Sequence, residues 1–129
     1  MVLAGEAWQH RTVTSVLIVD DHLRFRATAR RWLTRGGFDV IGEAADGADA
    51  LEAAARLRPD VVLLDVQLPD TDGFEVAAQL ARNGNSPTTV VLTSTRDAAE
   101  FGDLVARSGA RGFIPKAELT GPSLSALLD

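Results

Sequence analysis

The sequence predicts a doubly wound α/β domain: a five-stranded parallel sheet with helices on both faces. Two observations carry that expectation. Short apolar runs alternate five times with helix-length amphipathic stretches along the 129 residues. The runs are rich in β-branched residues and lack the apolar–polar alternation of a half-exposed strand, so both of their faces should be buried, as in a parallel sheet. Regular strand–helix alternation then implies right-handed crossovers, which place helices on both sides.

Residues 14–19 (TSVLIV) form the first strand, which stops at Asp20. Over residues 23–35, Phe25, Ala29, Trp32 and Leu33 recur at helical spacing, while Arg24, Arg26, Arg30 and Arg31 fall largely on other faces. Gly36-Gly37 ends that helix. Residues 38–42 read as the second strand and Asp46-Gly47 as a turn after it. Ala48, Leu51 and Ala55 stripe a second helix that stops before Pro59. Residues 60–64 are the third strand and 74–82 the third helix, with Asp72 and Glu75 at capping-box spacing. Residues 88–92 form the fourth strand. Residues 97–107 form a fourth helix with Phe101, Leu104 and Val105 on one side, weakened by Gly102 at about 1 kcal/mol relative to Ala. Residues 111–114 are the fifth strand, and Pro122 opens a brief last helix carrying Leu124, Leu127 and Leu128. Residues 1–13 read as a polar extension, and residues 14–129 as the single domain this length suits.

Composition narrows the function. Apolar residues make up 46% and charged residues 24%, which supports a packed core. A net charge of −5 argues against direct nucleic-acid binding or an anionic-membrane surface. No apolar run of about 18 residues and no signal-peptide pattern is present, so a cytoplasmic protein is expected. The absence of cysteine rules out disulfides, thiolate metal sites and thiol catalysis. Of the 13 basic residues, Lys116 is the only lysine. A position that keeps Lys where Arg is otherwise used calls for a compact ammonium on a flexible stem.

In doubly wound sheets the ligand site lies outside the carboxyl ends of the strands. Strand one ends in Asp20-Asp21, strand three in Asp65, strand four in Thr93-Ser94, and strand five runs into Lys116. Any one aspartate alone would more simply cap the next helix, Thr93 could be a plain β-branched residue, and Lys116 a solvated charge. Their joint placement at one sheet edge favours a site. Three carboxylates against one ammonium leave two uncompensated negative charges, which a divalent cation would neutralise. Oxygen ligands with an open coordination sphere suit Mg²⁺, and such a site beside a carboxylate nucleophile suggests phosphoryl transfer.

The segments VLIVDDH, LLDVQLPDTDGFEVA, VVLTST and GARGFIPK resemble the receiver domain of two-component response regulators, the CheY-like variant of the flavodoxin-like fold with strand order 2-1-3-4-5. The phrases DDH, IGEAADGADAL and GFIPK are similar to NarL-type receivers. The resemblance implies Asp65 as the phospho-acceptor, Asp21 as a direct Mg²⁺ ligand with Asp20 acting through water, and the backbone carbonyl of Gln67 as a further ligand. It implies Lys116 as the partner of the acceptor carboxylate and then of the phosphoryl oxygens, and Thr93 and Phe113 as a switch pair. Pro69 and Gly73 match the turn residues of the following loop. A sensor histidine kinase as phosphoryl donor and a downstream protein or fused output domain follow as partners.

Two features depart from the common pattern: Pro115 precedes Lys116 and Ala117 follows it, and the last helix is short, which leaves homodimerisation open. His22 reads as a solvated residue of the first helical turn rather than a metal ligand or phosphohistidine. The rival readings are the receiver half of a NarL-type DNA-binding transcription factor and a pseudo-receiver that is never phosphorylated. A haloacid-dehalogenase-like phosphatase needs D-x-D where Asp20-Asp21-His22 stands, and an FMN carrier needs a Ser/Thr/Gly-rich loop where this one is acidic. Trp8 and Trp32 are the available fluorophores.

Overall fold

The computed structural model describes residues 13–82 and 88–129. The extension expected over residues 1–13, including Trp8, lies outside the described residues except for Val13. The elements run β1 (Ser15–Val19), α1 (Leu23–Arg35), β2 (Asp39–Ala44), α2 (Gly47–Leu57), β3 (Val61–Asp65), α3 (Gly73–Arg82), β4 (Thr89–Ser94), α4 (Leu104–Arg107), β5 (Gly112–Pro115) and α5 (Gly121–Leu128). Short 3₁₀ turns over Ala98–Phe101 and Lys116–Glu118 complete the order. All pairings are parallel and the strand order is β2-β1-β3-β4-β5, as expected.

The unbroken apolar character of the strands is explained by two cores. Leu17, Val19, Val62, Leu64 and Leu92 point to one face, where they meet Ala50, Ala53 and Ala54 of α2 and Val76 and Ala77 of α3. Val16, Ile18, Leu63, Val91 and Ile114 point to the other, against Ala29 and Leu33 of α1 and Leu124 of α5. Each fully buried Leu, Ile or Val contributes about 1.5–3 kcal/mol, so β1 and β3, buried along almost their whole length, form the rigid centre. Among the described residues no helix is long and apolar enough to cross a membrane.

Five expectations need correction. β2 starts at Asp39, not Phe38. The Phe38 amide donates to the Leu33 carbonyl at 3.0 Å and completes the end of α1, while its ring is buried. Asp46-Gly47 is the start of α2 rather than a free turn: the Asp46 carboxylate accepts the Asp49 amide at 2.8 Å as an N-cap. Only half of the Asp72/Glu75 capping box forms, because Asp72 accepts the Glu75 amide at 2.8 Å while the Glu75 carboxylate turns to Gln79 and Arg82. The continuous helix over 97–107 does not exist. Gly102 adopts φ +61, a conformation closed to L side chains, and separates the Ala98–Phe101 turn from the four-residue α4. Leu104 is consequently 46% exposed instead of packed, although Phe101 and Val105 do reach the core. The last helix begins one residue early, at Gly121, with Thr120 and Ser123 forming a reciprocal cap.

Candidate functional site

Parallel strands bring their carboxyl ends to one edge, and the registers align the chemistry there. Val19 pairs with Leu64, so Asp20 and Asp65 leave the sheet side by side, and Asp65 itself pairs with Thr93. Asp20 is fully buried and Asp65 4% exposed, whereas Asp21 is open to solvent. Lys116, just beyond β5, reaches back with its ammonium 2.5 Å from Asp20 Oδ2 and 3.3 Å from Asp65 Oδ2. Of the two contacts, only that with Asp65 has hydrogen-bond geometry. Asp20 Oδ2, which accepts no hydrogen bond, is held by the ammonium as a buried ion pair.

Burial first, and then the neighbouring Asp20 carboxylate, push the Asp65 carboxyl up to about 6 against the opposing influence of Lys116 and the Gln67 amide. The edge thus carries more negative charge than its single ammonium satisfies. One carboxylate oxygen each from Asp20, Asp21 and Asp65, together with an imidazole nitrogen of His22, lie within 4.8 Å of one another. The carboxylate oxygens of that cluster fit a hard divalent cation.

The loop after β3 is shaped to the same end. The Gly73 amide donates to the Val66 carbonyl at 2.7 Å and the Leu68 amide to the Thr71 carbonyl at 3.2 Å. A side chain at Gly73 would run into the Asp65 carbonyl and Val66 Cα, so only glycine permits this closure. Gln67 stands between these bonds; its amide donates to Asp65 Oδ1 at 3.3 Å, and its carbonyl takes part in neither closing bond. Asp70 in the loop accepts the Gly47 and Ala48 amides at 2.8 and 3.0 Å, which tie the loop to the start of α2 and hold the Asp70 carboxyl below its usual range.

The structure thus gathers Asp20, Asp21, Asp65, Lys116 and the Gln67 backbone. Thr93 and Phe113 are placed differently. The Thr93 hydroxyl is buried and donates to the Ile114 carbonyl at 2.7 Å, towards β5. Phe113 is half-buried beside Phe101, 6.0 Å between centroids, and Phe101 stacks edge-on with Phe74 at 5.5 Å. The acid edge and the aromatic row therefore lie on either side of the Thr93 strand end.

The contacts of His22, which caps α1, and of Phe25 and Arg26 in its first turn were missed by sequence reasoning. The His22 ring, read as simply solvated, places Nδ1 3.0 Å from Asp20 Oδ1 and 3.1 Å from Asp21 Oδ1, although 68% of the side chain is exposed. Phe25 lies under the Lys116 ammonium, 4.5 Å from Nζ to the ring centroid. Arg26 donates to the Asp20 carbonyl at 2.6 Å and pairs with Glu43 at 3.0 Å. Burial alone would raise Glu43, but Arg30 and Arg26 outweigh it and hold the carboxyl low. The signal was present in the i, i+3, i+4 spacing of these residues directly after the acid pair.

Sheet order and acidic edge together define a CheY-like receiver fold. Residues 16–126 match the response regulator receiver domain, and the chain belongs to that family, the receiver domains of two-component response regulators. It is 40% identical over 115 residues to the probable transcriptional regulatory protein NarL of Mycobacterium tuberculosis, covering 88% of this chain and 53% of that protein. The chain thus spans about half the length of this relative. The solved signal receiver domain of the NarL response regulator from M. tuberculosis superposes with a TM-score of 0.78 at 37% identity, covering 90% of this chain and 97% of that one. A CheX–CheY–BeF3–Mg²⁺ complex from Borrelia burgdorferi also superposes, with a TM-score of 0.78 at 26% identity over 89% of this chain and 86% of that one.

Proposed function

We propose that Asp65 accepts a phosphoryl group from the phosphohistidine of a sensor kinase and that this modification switches a protein-contact surface. The observation carrying this reading is the buried Asp65 carboxylate, held beside the chain's only lysine and opposite an acid pair. The similarity to a CheY described with beryllofluoride and Mg²⁺ supports it. Asp21, Asp65 and the Gln67 carbonyl would hold Mg²⁺, with Asp20 supporting from behind; the bound ion supplies charge neutralisation for the transferring oxygens.

An Asp65 carboxylate oxygen forms the new bond to phosphorus as the phosphorus–nitrogen bond to the donor imidazole breaks, and the imidazole keeps the electron pair. Lys116 stays near the acceptor and pairs with the phosphoryl oxygens as negative charge moves onto them. The aspartyl phosphate adds nearly two negative charges and new acceptor oxygens next to β4. These draw the Thr93 hydroxyl away from the Ile114 carbonyl, and the space it vacates lets Phe113 turn inwards, reshaping the surface around α4 and β5. The chain promotes its own phosphorylation and dephosphorylation but turns over no external substrate.

The receiver unit spans residues 14–129 of a cytoplasmic protein, and residues 1–13 extend from it. A second reading of the output rests on the relative of about twice this length that is named a transcriptional regulatory protein. By that reading the receiver controls a fused DNA-binding domain, by homodimerisation or by release of contacts. The reading frame of the native gene decides between fused and separate partners. For the acceptor, incubation with Mg²⁺ and acetyl phosphate should add one phosphate to the wild type and none to Asp65→Asn; equal labelling of the two would overturn the assignment.

A further inference from the structure

His22 occupies a position that the phospho-acceptor reading does not use. Its Nδ1 sits 3.0 Å from Asp20 Oδ1 and 3.1 Å from Asp21 Oδ1. Around an octahedral ion with bonds of about 2.1 Å, adjacent ligand atoms are about 3.0 Å apart and opposite ones about 4.2 Å. The spacing of the imidazole nitrogen to the Asp21 oxygen is that of adjacent ligands, while Asp20 Oδ1 backs the ring from behind. The atoms offered by Asp20, Asp21, His22 and Asp65 fall within 4.8 Å of one another, close to the outer span of such a sphere. The floor of the cluster is the fully buried Asp20, whose Oδ2 is ion-paired with the Lys116 ammonium at 2.5 Å while Oδ1 faces the ring.

We propose that His22 is a direct nitrogen ligand at this site and that it shifts the site's preference from Mg²⁺ towards borderline divalent transition ions such as Co²⁺, Ni²⁺ or Zn²⁺. The inference rests on the reading of the acid edge as a cation site and adds the ligand that sets which cation it takes. Oxygen donors favour Mg²⁺, whereas an imidazole strengthens binding of ions later in the divalent series. The His22 amide donates to Asp20 Oδ1 at 2.8 Å, which fixes the residue's backbone against the acid pair. In the rival arrangement the ring is only a hydrogen-bonding bridge between the carboxylates, which an entering ion displaces.

Calorimetric titration of the whole chain with Co²⁺ and, separately, Mg²⁺ tests this, using wild type, His22→Ala and Asp21→Ala. Wild type should bind Co²⁺ more tightly than Mg²⁺. His22→Ala should lose more Co²⁺ affinity than the roughly 10–100-fold that removing an outer-shell partner costs, while Mg²⁺ affinity changes little. The Co²⁺-loaded wild type should also show a hyperfine-shifted exchangeable imidazole N–H proton resonance that His22→Ala lacks. His22 is largely exposed, so the variant should keep the wild-type circular dichroism spectrum. Unchanged Co²⁺ affinity in His22→Ala, equal weakening of both ions, or persistence of the shifted resonance would overturn the role of His22 alone. If wild type binds neither ion, or Asp21→Ala binds both as well as wild type does, the cation site itself fails.

Discussion

Ionising Asp65 in the metal-free fold works against its burial and against Asp20, which is why its carboxyl is raised from 3.8 to about 6. The folded state therefore holds this proton more tightly than the unfolded chain does. Its contribution to stability is present below pH 4 and is lost as pH rises through 6. Asp65→Asn removes the charge, so in chelator at pH 7.5 it should stabilise the protein by about 1–3 kcal/mol. Urea unfolding at pH 7.5 and pH 4.5 should show that gain shrinking at the lower pH; a constant difference would mean that Asp65 is not strained. The residues behind this effect were partly legible. Asp20, Asp65 and Lys116 stand at strand ends, where topology alone places them together. The contacts of His22, Phe25 and Arg26 depend on the rotation of α1 about its axis, which apolar spacing fixes only coarsely. The direction of the Thr93 hydroxyl could not be read at all, because a strand residue's facing does not specify its rotamer.

Among the elements, the β3–α3 loop has the least freedom to change. Gly73→Ala places a methyl group against the Asp65 carbonyl and Val66 Cα, neither of which can yield as a side chain would. The substitution should cost about 1–3 kcal/mol in urea unfolding. Because Gln67 sits in the same loop, it should also weaken Mg²⁺ binding more than a loss of stability explains. Helices α1, α2 and α3 and all five strands were visible in the apolar pattern because burial on one face or two dictated it. The break in the 97–107 segment was not. The apolar spacing there is helical, and Gly102 was counted as a weak helical residue when its φ of +61 makes it a terminator. A local conformational choice overrode a periodic signal, and that happened where few residues are buried.

Across the molecule, the rigid centre of the sheet and the segment proposed to reshape are separated. β1 and β3 lie at the centre of the sheet with covered faces, whereas the segment Ala98–Arg107 has no buried residue. Amide hydrogen exchange should be slowest in residues 16–19 and 61–64 and fastest, among the described elements, in 98–107. Protection of 98–107 equal to that of β1 would contradict the assignment of the aromatic row to a surface that reshapes. Cation binding should raise the melting temperature by mass action, with the increment growing with Mg²⁺ concentration in wild type and absent in Asp21→Ala. The strand order followed from the motif resemblance, and the two-sided core from the strands' lack of alternation.

The lone lysine gives the molecule a property no arginine would. Amine-reactive reagents find a single side-chain target in the 129 residues, and that target sits in the site itself, 12% exposed and paired with two carboxylates. Acylation of Lys116 is therefore a covalent reporter: its rate should track how firmly the ammonium is held and rise when Asp20 or Asp65 is neutralised. Mass mapping of the peptide that carries Lys116, which separates it from the more reactive α-amino group, then reads the electrostatic state of the site with no engineered probe.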